Sequence, residues 1–461
     1  MSEFISIAAT GIWTPVLFLL ILGGVFFLFY SRFLPYKHFR HAISILRGKY
    51  DDPNNPGQLS AYEALSTALA STVGMGNIAG VAAAISIGGP GALFWMWVTA
   101  FVGMATNFFT SSLSVMYRGK DSDGEIQGGP MYVIREALGK SWYPLAILFC
   151  LCCTVGCLPI FQANQLTQII IDIGITSPEI KAASFSVAGL EINTAKLAIG
   201  SVLMIISGIV IIGGIQRIGS WAGKMVPLMI IVYFVSVLLI LFIHIDKVPH
   251  YFLMIITDAF AAQNYKGDPL LGGIVGGLIV TGVRRASFSN EAGIGTAPMA
   301  LGASKSKEPI REGLVSMMSP AIDTLLVCSL TALAILVTDV WKTSGASGVS
   351  LTVTAFESSL GMTGKILLLI SAFFFAITSL FSYSYYGNKA VSFLFNVKVG
   401  KYYDYVYLST IIMGAVLSMT DVMNIIDIAY ALMAVPTMIS GLMLAPKVMA
   451  EAKSYFKRMG M

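Results

Sequence analysis

The stretch STVGMGNIAGV, residues Ser71–Val81, interrupts an apolar run of the kind that crosses a bilayer as a helix. Gly74, Gly76 and Gly80 surround Asn77 within a single short segment. One glycine in a spanning helix usually means close packing through small residues. This density reads differently, because non-helical backbone at membrane depth is tolerated only where it lines a protein cavity or a water-filled site. A break here frees carbonyls for a cation and amides for an anion, and it aims the half-helix dipoles at a common point. The remainder of the chain then has to be a bundle able to enclose such a point.

Composition agrees. The chain has 461 residues, 56% hydrophobic and 11% charged, with a mean hydropathy of +0.78, which excludes a soluble domain with a polar surface. Apolar stretches of helix-spanning length recur throughout, without the alternation of barrel strands. They predict an all-α polytopic membrane protein of about eleven transmembrane helices, at 12–31, 61–87, 90–117, 142–174, 196–215, 222–244, 249–286, 312–338, 364–387, 403–420 and 422–446. The seventh is too long for one straight crossing. The first is expected to be retained and not cleaved as a signal peptide, since Glu3 precedes it while Arg32, Lys37 and Arg40 follow.

Lys and Arg placement sets the orientation, because short cytoplasmic loops collect these residues. With the N-terminus outside and the C-terminus in the cytoplasm, 23 of the 29 fall on cytoplasmic segments, including five from Arg284 to Arg311. The six others are Lys181, Lys196, Lys247, Lys266, Lys342 and Lys365. The net charge of +5 reflects topology and gives no sign of nucleic-acid binding. Of the five cysteines, Cys150, Cys152, Cys153 and Cys157 crowd the fourth span without metal or disulfide spacing. The four histidines lie at span ends or in loops, and no catalytic or phosphate-binding motif is present. Neither an enzyme nor a cofactor is expected.

A first break calls for a partner in the second half. Residues 249–286 offer Asp258 after an apolar start, Pro269 in the middle, then Gly272, Gly273, Gly276 and Gly277. Setting aside the first span leaves ten, a five plus five division in which the seventh opens the second half. Two odd-numbered halves must run in opposite senses, the inverted-repeat plan of many secondary transporters. The expected division is an N-terminal helix and linker at 1–60, a first repeat at 61–248, a second at 249–446 and a cytoplasmic tail at 447–461.

The sequence also resembles the alanine or glycine:cation symporter family. The resemblance is carried by GGPGALFWMWVTAFVG from Gly88, GNIAGVA from Gly76, GGPMYVI from Gly128, QAN from Gln162, FSNEAGIG from Phe288, IDTLLVCSLTAL from Ile322 and the region of Pro436. These motifs cover nearly the whole chain. The family is similar in fold to the leucine-transporter-like superfamily, whose first core helix VGMGN resembles. Where the family usually has Arg-Gly, this chain has Arg285-Ala286-Ser287, a small departure that bears on local backbone freedom.

Candidate residues follow singly. Asn77 offers an oxygen to a cation and a donor to a carboxylate, and the Gly74 and Gly76 backbone can approach a ligand closely. Gln162 and Asn164 fit substrate contact or interhelical bonding, and the resemblance favours Gln162 as a substrate contact. Asp258 is the candidate for a substrate ammonium, with an outer-loop acid as the alternative. Asp323 and Asp427 lie deep in their spans, where an acid is functional by default, and Asp323 is read as a gating or cation-coupling residue. Sodium wants several oxygens; unwound carbonyls and hydroxyls supply them. In the superfamily a hydroxyl pair facing the first core helix does this, which implies Thr378 and Ser379 with the carbonyls of Ala70 and Val73. Arg284, Arg285, Asn290 and Glu291, placed at the cytoplasmic end of the seventh span, fit an inner gate and fit equally anchors and a solvated turn.

The expected function is a monomeric secondary transporter in a bacterial or archaeal inner membrane, importing alanine or glycine with sodium as the coupling ion. A proton-coupled or glutamine-selective member of the family is the alternative. A channel would use the same breaks without alternating access, and an intramembrane enzyme using Asp258 and Asp323 is the remaining rival. Apart from membrane lipid and the amino acid, no partner is expected.

Overall fold

A computed structural model describes residues 2–461 other than 51, 53, 54, 56, 176, 188, 189 and 267–272. The helices that carry the architecture are α1 (Ser2–Tyr30), α2 (Ala61–Thr72), α3 (Val81–Gly88), α4 (Gly91–Met116), α5 (Tyr143–Gly156), α6 (Ile160–Gly174), α7 (Thr194–Ile211) and α8 (Gly214–Ile243). They continue as α9 (Val248–Ala261), α10 (Gly273–Asn290), α11 (Thr296–Leu301), α12 (Pro309–Val337), α13 (Val349–Leu394), α14 (Val397–Val416) and α15 (Met419–Arg458). Among the described residues eight helices are long and apolar enough to span a membrane, and the bent pair α2–α3 makes nine. The protein is an all-α integral membrane protein. Of the eleven segments read from sequence, the α9–α10 region and α14 lie outside that set.

The break at Ser71–Val81 is present. α2 starts on a capping box, in which Ser60 Oγ accepts from the Glu63 amide and Glu63 Oε2 accepts from the Ser60 amide. It stops at Val73, whose ψ of 80° leaves the helical region. A π-helical turn over Gly76–Gly80 then leads into α3, and the two pieces meet at 47°.

The segment 249–286 is interrupted between Ala261 and Gly273 as expected, but the break that faces the first lies further along. Pro269 and Gly272 fall outside the described residues, but α10 runs through Gly273, Gly276 and Gly277 and continues past residue 286 to Asn290. The helix stops at Glu291–Gly295, where Glu291, Gly293 and Gly295 all have positive φ (53°, 83° and 111°). The short helix α11 follows. α4 serves as a ruler for depth, at about 1.5 Å per residue. A Cβ added at Gly282 would fall 2.6 Å from Trp95, one added at Gly103 would fall 2.6 Å from the Ala292 Cβ, and Ser114 Oγ donates to the Pro298 carbonyl. Residues 282–298 therefore descend alongside α4, with the break at its midpoint. α9 is a separate helix beside the start of α4, where its Ala259 carbonyl accepts from Trp95 Nε1.

The segments that collect Lys and Arg interlock at one end. Arg118 donates to the carbonyls of Gly302, Ser304 and Ser306 at 2.6–2.8 Å, and Arg458 pairs with Glu308 at 2.8 Å. Arg311 stacks over Tyr50 and Tyr455. At the opposite end Lys247 and Lys342 both pair with Asp339. α1 packs on α15, with Trp13 Nε1 donating to the Asp427 carbonyl at 2.9 Å.

Candidate functional site

The two breaks meet. At the first, the Gly74 amide donates to Asn77 Oδ1 and the Met75 amide donates to Gln162 Oε1, each at 2.9 Å. Both amides lie just ahead of the π-helical turn, where the first N–H groups of a helix lack intrahelical acceptors, and the Gly74 amide also reaches the Thr72 carbonyl at 2.9 Å. Gly74 has no room for a side chain, since a Cβ there would collide with Ser379 Oγ on α13 and fall 3.3 Å from the Gln162 amide. Gly74, Asn77, Gln162 and Ser379 thus converge at the first break.

Asp323 joins the breaks. It sits in a π-helical stretch of α12, Ala321–Cys328, and is fully buried. Asn77 Nδ2 donates to its Oδ1 at 2.6 Å, and Ser289 Oγ and Thr324 Oγ1 donate to its Oδ2 at 2.8 and 2.7 Å. Ser289 lies two residues before the second break. Cys328 completes the cluster, with its sulfur 3.2 Å from Ser289 Oγ and 3.4 Å from Asn77 Nδ2.

A second buried carboxylate, Glu291, occupies the other break. Its oxygens accept from Tyr383 at 2.6 Å, from Tyr430 at 2.9 Å and from Thr296. Glu291 belongs to mid-depth and not to a cytoplasmic turn. These donors to Glu291 are hydroxyls and those to Asp323 are hydroxyl and amide, and among the described residues no Lys, Arg or His forms an ion pair with either acid. Charges buried without a cationic partner are costly. Asp323 and Glu291 thus lie, fully buried, at the junction of the helix breaks. Tyr383, Tyr430 and Ser289 escaped the sequence reading, although the polar aromatic run FSYSYYGN at 381–388 stands out within an apolar span.

Arg284 and Arg285 also belong elsewhere than expected. Both pair with Asp427 on α15, Arg285 at 2.8 Å. They face a cavity of about 550 Å³ shared with Ile87, Lys196 and Ser347–Ser350, on the side away from the basic loops. The Arg285 guanidinium lies 5.7 Å from the ring of Phe288, and that ring sits 3.5 Å from the Cβ position of Gly76. Phe288 therefore separates the cavity from the breaks, with the ion pair above it.

Two other expected ligands are not brought to this point. Asp258 Oδ2 accepts from the Gly91 amide at 3.1 Å and its Oδ1 accepts from the Asn264 side chain at 3.0 Å. It caps α4, a dozen residues from the level of the breaks, where an acid complements the helix dipole. Thr378 Oγ1 bonds back to Phe374 at 2.9 Å and faces Met229 on α8. Adjacent residues on a helix point about 100° apart, so Ser379 faces Ser71, whose carbonyl lies 3.4 Å away, and Thr378 does not. Ala70 and Val73 are fully buried at the end of α2.

Comparison with known proteins places this geometry. The chain matches the sodium:alanine symporter family over residues 1–460. It is 35% identical to a sodium/alanine symporter, AgcS, of Methanococcus maripaludis, over 98% of this chain and 97% of that one. It is 31% identical to a probable sodium/glutamine symporter, GlnT, of Bacillus subtilis, over 99% and 91% of the two chains. Among solved structures it shares the fold of MhsT, crystallised with L-phenylalanine, at a TM-score of 0.58 and 14% identity, covering 86% of this chain and 98% of that one.

Proposed function

We propose that this chain, which belongs to the sodium:alanine symporter family, is a secondary active transporter that imports alanine or glycine together with sodium. The observation that carries the reading is the junction of two mid-depth helix breaks through Asn77, Asp323 and Ser289. Unwound backbone and half-helix ends at such a point can receive a carboxylate and a cation. Asn77, Gln162 and the Gly74–Gly76 backbone hold the amino acid. Ser379, with the carbonyls of Ala70 and Val73, offers neutral oxygens to sodium. Asp323 and Glu291 supply negative charge that a bound cation neutralises, so that occupancy and the relative position of the breaks are coupled. The crowding of Gly74 by Ser379 and Gln162 favours a substrate with a side chain no larger than methyl.

Residues 61–248 and 249–446 act as the two repeats, moving relative to each other about this junction, with the basic loops in the cytoplasm. One cation moving down 100 mV contributes about 2.3 kcal/mol before its concentration gradient is counted, enough to concentrate a neutral solute. The test is uptake of labelled alanine by the native chain in proteoliposomes under an imposed sodium gradient, an imposed proton gradient, or neither. Sodium-driven accumulation is expected. Accumulation driven by protons alone would replace sodium as the coupling ion, glutamine preferred over alanine would replace the substrate, and large unitary currents would replace the transporter with a channel.

A further inference from the structure

Three helices leave a groove on the outside of the bundle. Trp97 and Phe101 of α4, Phe252 of α9, and Leu325, Ser329 and Leu333 of α12 line a space of about 550 Å³, within the roughly 300–1,000 Å³ typical of small-molecule sites. Phe101 and Phe252 are 41% and 49% exposed, so the groove opens sideways. It lies just above Gly103, which meets the second break, and at that depth the surrounding medium is hydrocarbon. The polar atoms of its lining, Trp97 Nε1 and Ser329 Oγ, bond to each other at 2.7 Å. No donor or acceptor is left for a polar ligand, and the space suits an alkyl chain.

The groove is tied to a corner of unpaired positive charge. The Phe101 ring lies 4.8 Å from that of Tyr36, and Tyr36 Oη donates to the Phe101 carbonyl. Tyr36 follows the turn that ends α1, where Arg32 and Phe33 take positive φ of 52° and 60°, a conformation that residues other than glycine seldom adopt. Two short helices, Leu34–Lys37 and Phe39–Leu46, come next. From Ser31 to Tyr50 the chain has five basic residues and no acidic one. Arg32, Lys37 and Arg40 are exposed, and none of them forms an ion pair among the described residues.

We infer that groove and corner together bind one anionic glycerophospholipid. An acyl chain lies in the groove against Trp97 and Leu325, and the headgroup phosphate takes Lys37 and Arg40, as juxtamembrane basic residues do with anionic lipid. A soluble anion would use the cations and leave the groove unfilled. A neutral lipid would fill the groove and leave the cations unmatched. Leu325 belongs to the π-helical stretch Ala321–Cys328 that carries Asp323 on its buried side, so the bound lipid packs on the outer face of the segment that joins the two breaks.

Quenching of Trp97 fluorescence tests this on the full chain in vesicles of dioleoyl phosphatidylcholine, to which phosphatidylglycerol or phosphatidylcholine brominated at mid-chain is added. The Trp97 signal is the difference between the native chain and Trp97→Phe. Brominated phosphatidylglycerol is expected to quench it at a mole fraction about fivefold or more below that of brominated phosphatidylcholine. Lys37→Gln combined with Arg40→Gln should make the two lipids equal, and Val98→Phe, which fills the groove, should weaken quenching by both. Lys37 and Arg40 are exposed and unpaired, so their replacement leaves the fold intact, and Val98→Phe tests the groove independently of charge. Equal quenching by both lipids in the native chain, a preference kept in the double variant, or quenching unchanged by Val98→Phe overturns the site. Loss of the preference in inorganic phosphate, but not in potassium chloride of the same ionic strength, assigns the cations to a soluble anion and overturns it as well.

Discussion

Asn77 donates its side-chain amide to Asp323 across 2.6 Å, and through that bond the broken helix pair α2–α3 is tied to the π-helical stretch of α12. The same Asn77 accepts the Gly74 amide on its oxygen, so one side chain holds the break open and orients the acid. Replacing it by alanine leaves the Gly74 amide with the Thr72 carbonyl alone and a buried carboxylate oxygen of Asp323 short of its Asn77 donor, at about 1–3 kcal/mol. Asn77→Ala should lower kcat/KM for alanine uptake by about 10- to 100-fold. Uptake kinetics in proteoliposomes check this, with a thermal melt to exclude unfolding.

The contact of Gly74 with Ser379 predicts a compensating pair. A methyl at Gly74 would collide with Ser379 Oγ, and overpacking of this kind costs about 1–3 kcal/mol. Gly74→Ala should therefore impair uptake severely. Adding Ser379→Ala removes the colliding oxygen and should restore part of the alanine affinity while the sodium affinity stays low, because the hydroxyl is lost. Measuring the sodium dependence of uptake in both variants separates the steric role of Gly74 from the ligand role of Ser379.

Asp258 has a different prediction attached to it. Its bonds to the Gly91 amide and to Asn264 make it a cap for α4, worth about 1 kcal/mol. Asp258→Asn should lower the melting temperature by a few degrees and leave the KM for alanine unchanged. A KM raised tenfold or more without loss of stability would return Asp258 to the substrate.

At the end away from the basic loops, Asp339 accepts from Lys247 and Lys342, both at 2.8 Å, and from Tyr251. Burial pushes its carboxyl up, but these hydrogen bonds and the charge of Lys342 outweigh it and hold the group well below the usual carboxylate range. A depressed folded value means stabilisation that is present above the unfolded value near 4 and is lost as pH falls through the folded one. The carboxylate is more than a third exposed, so solvent screening keeps the effect modest. Asp339→Asn should melt earlier than the native chain at neutral pH, and the gap should close as the pH is taken below 4. A gap independent of pH would show that the charge contributes nothing.

The first break was legible because three glycines and an asparagine crowd a short apolar segment, a pattern that helix packing alone does not need. The second was misplaced for a physical reason. Glycine in a membrane helix marks close approach as readily as unwinding, and Gly277 and Gly282 are of the first kind, packed against Tyr265 and Trp95. The true break needed the positive φ of Glu291, Gly293 and Gly295, which FSNEAGIG permits without declaring. Arg284 and Arg285 read as an inner gate or as anchors at the cytoplasmic end because their partner, Asp427, lies 142 residues from Arg285. Long-range pairing of that kind leaves no local trace. The hydroxyl pair Thr378–Ser379 was visible as a pair, but which member faces α2 depends on the rotation of α13 in the bundle.

The most direct test of the account is the mutual dependence of alanine and sodium binding. Equilibrium binding of labelled alanine is measured on the purified chain across a sodium titration, for the native protein, Asn77→Ala and Asp323→Asn. If the two breaks form one site for both solutes, sodium raises alanine affinity in the native chain by about 5- to 150-fold, and linkage requires alanine to raise sodium affinity by the same factor. The coupling should fall close to unity in both variants while their melting temperatures stay near native. Coupling of native size in folded Asn77→Ala and Asp323→Asn would contradict the account.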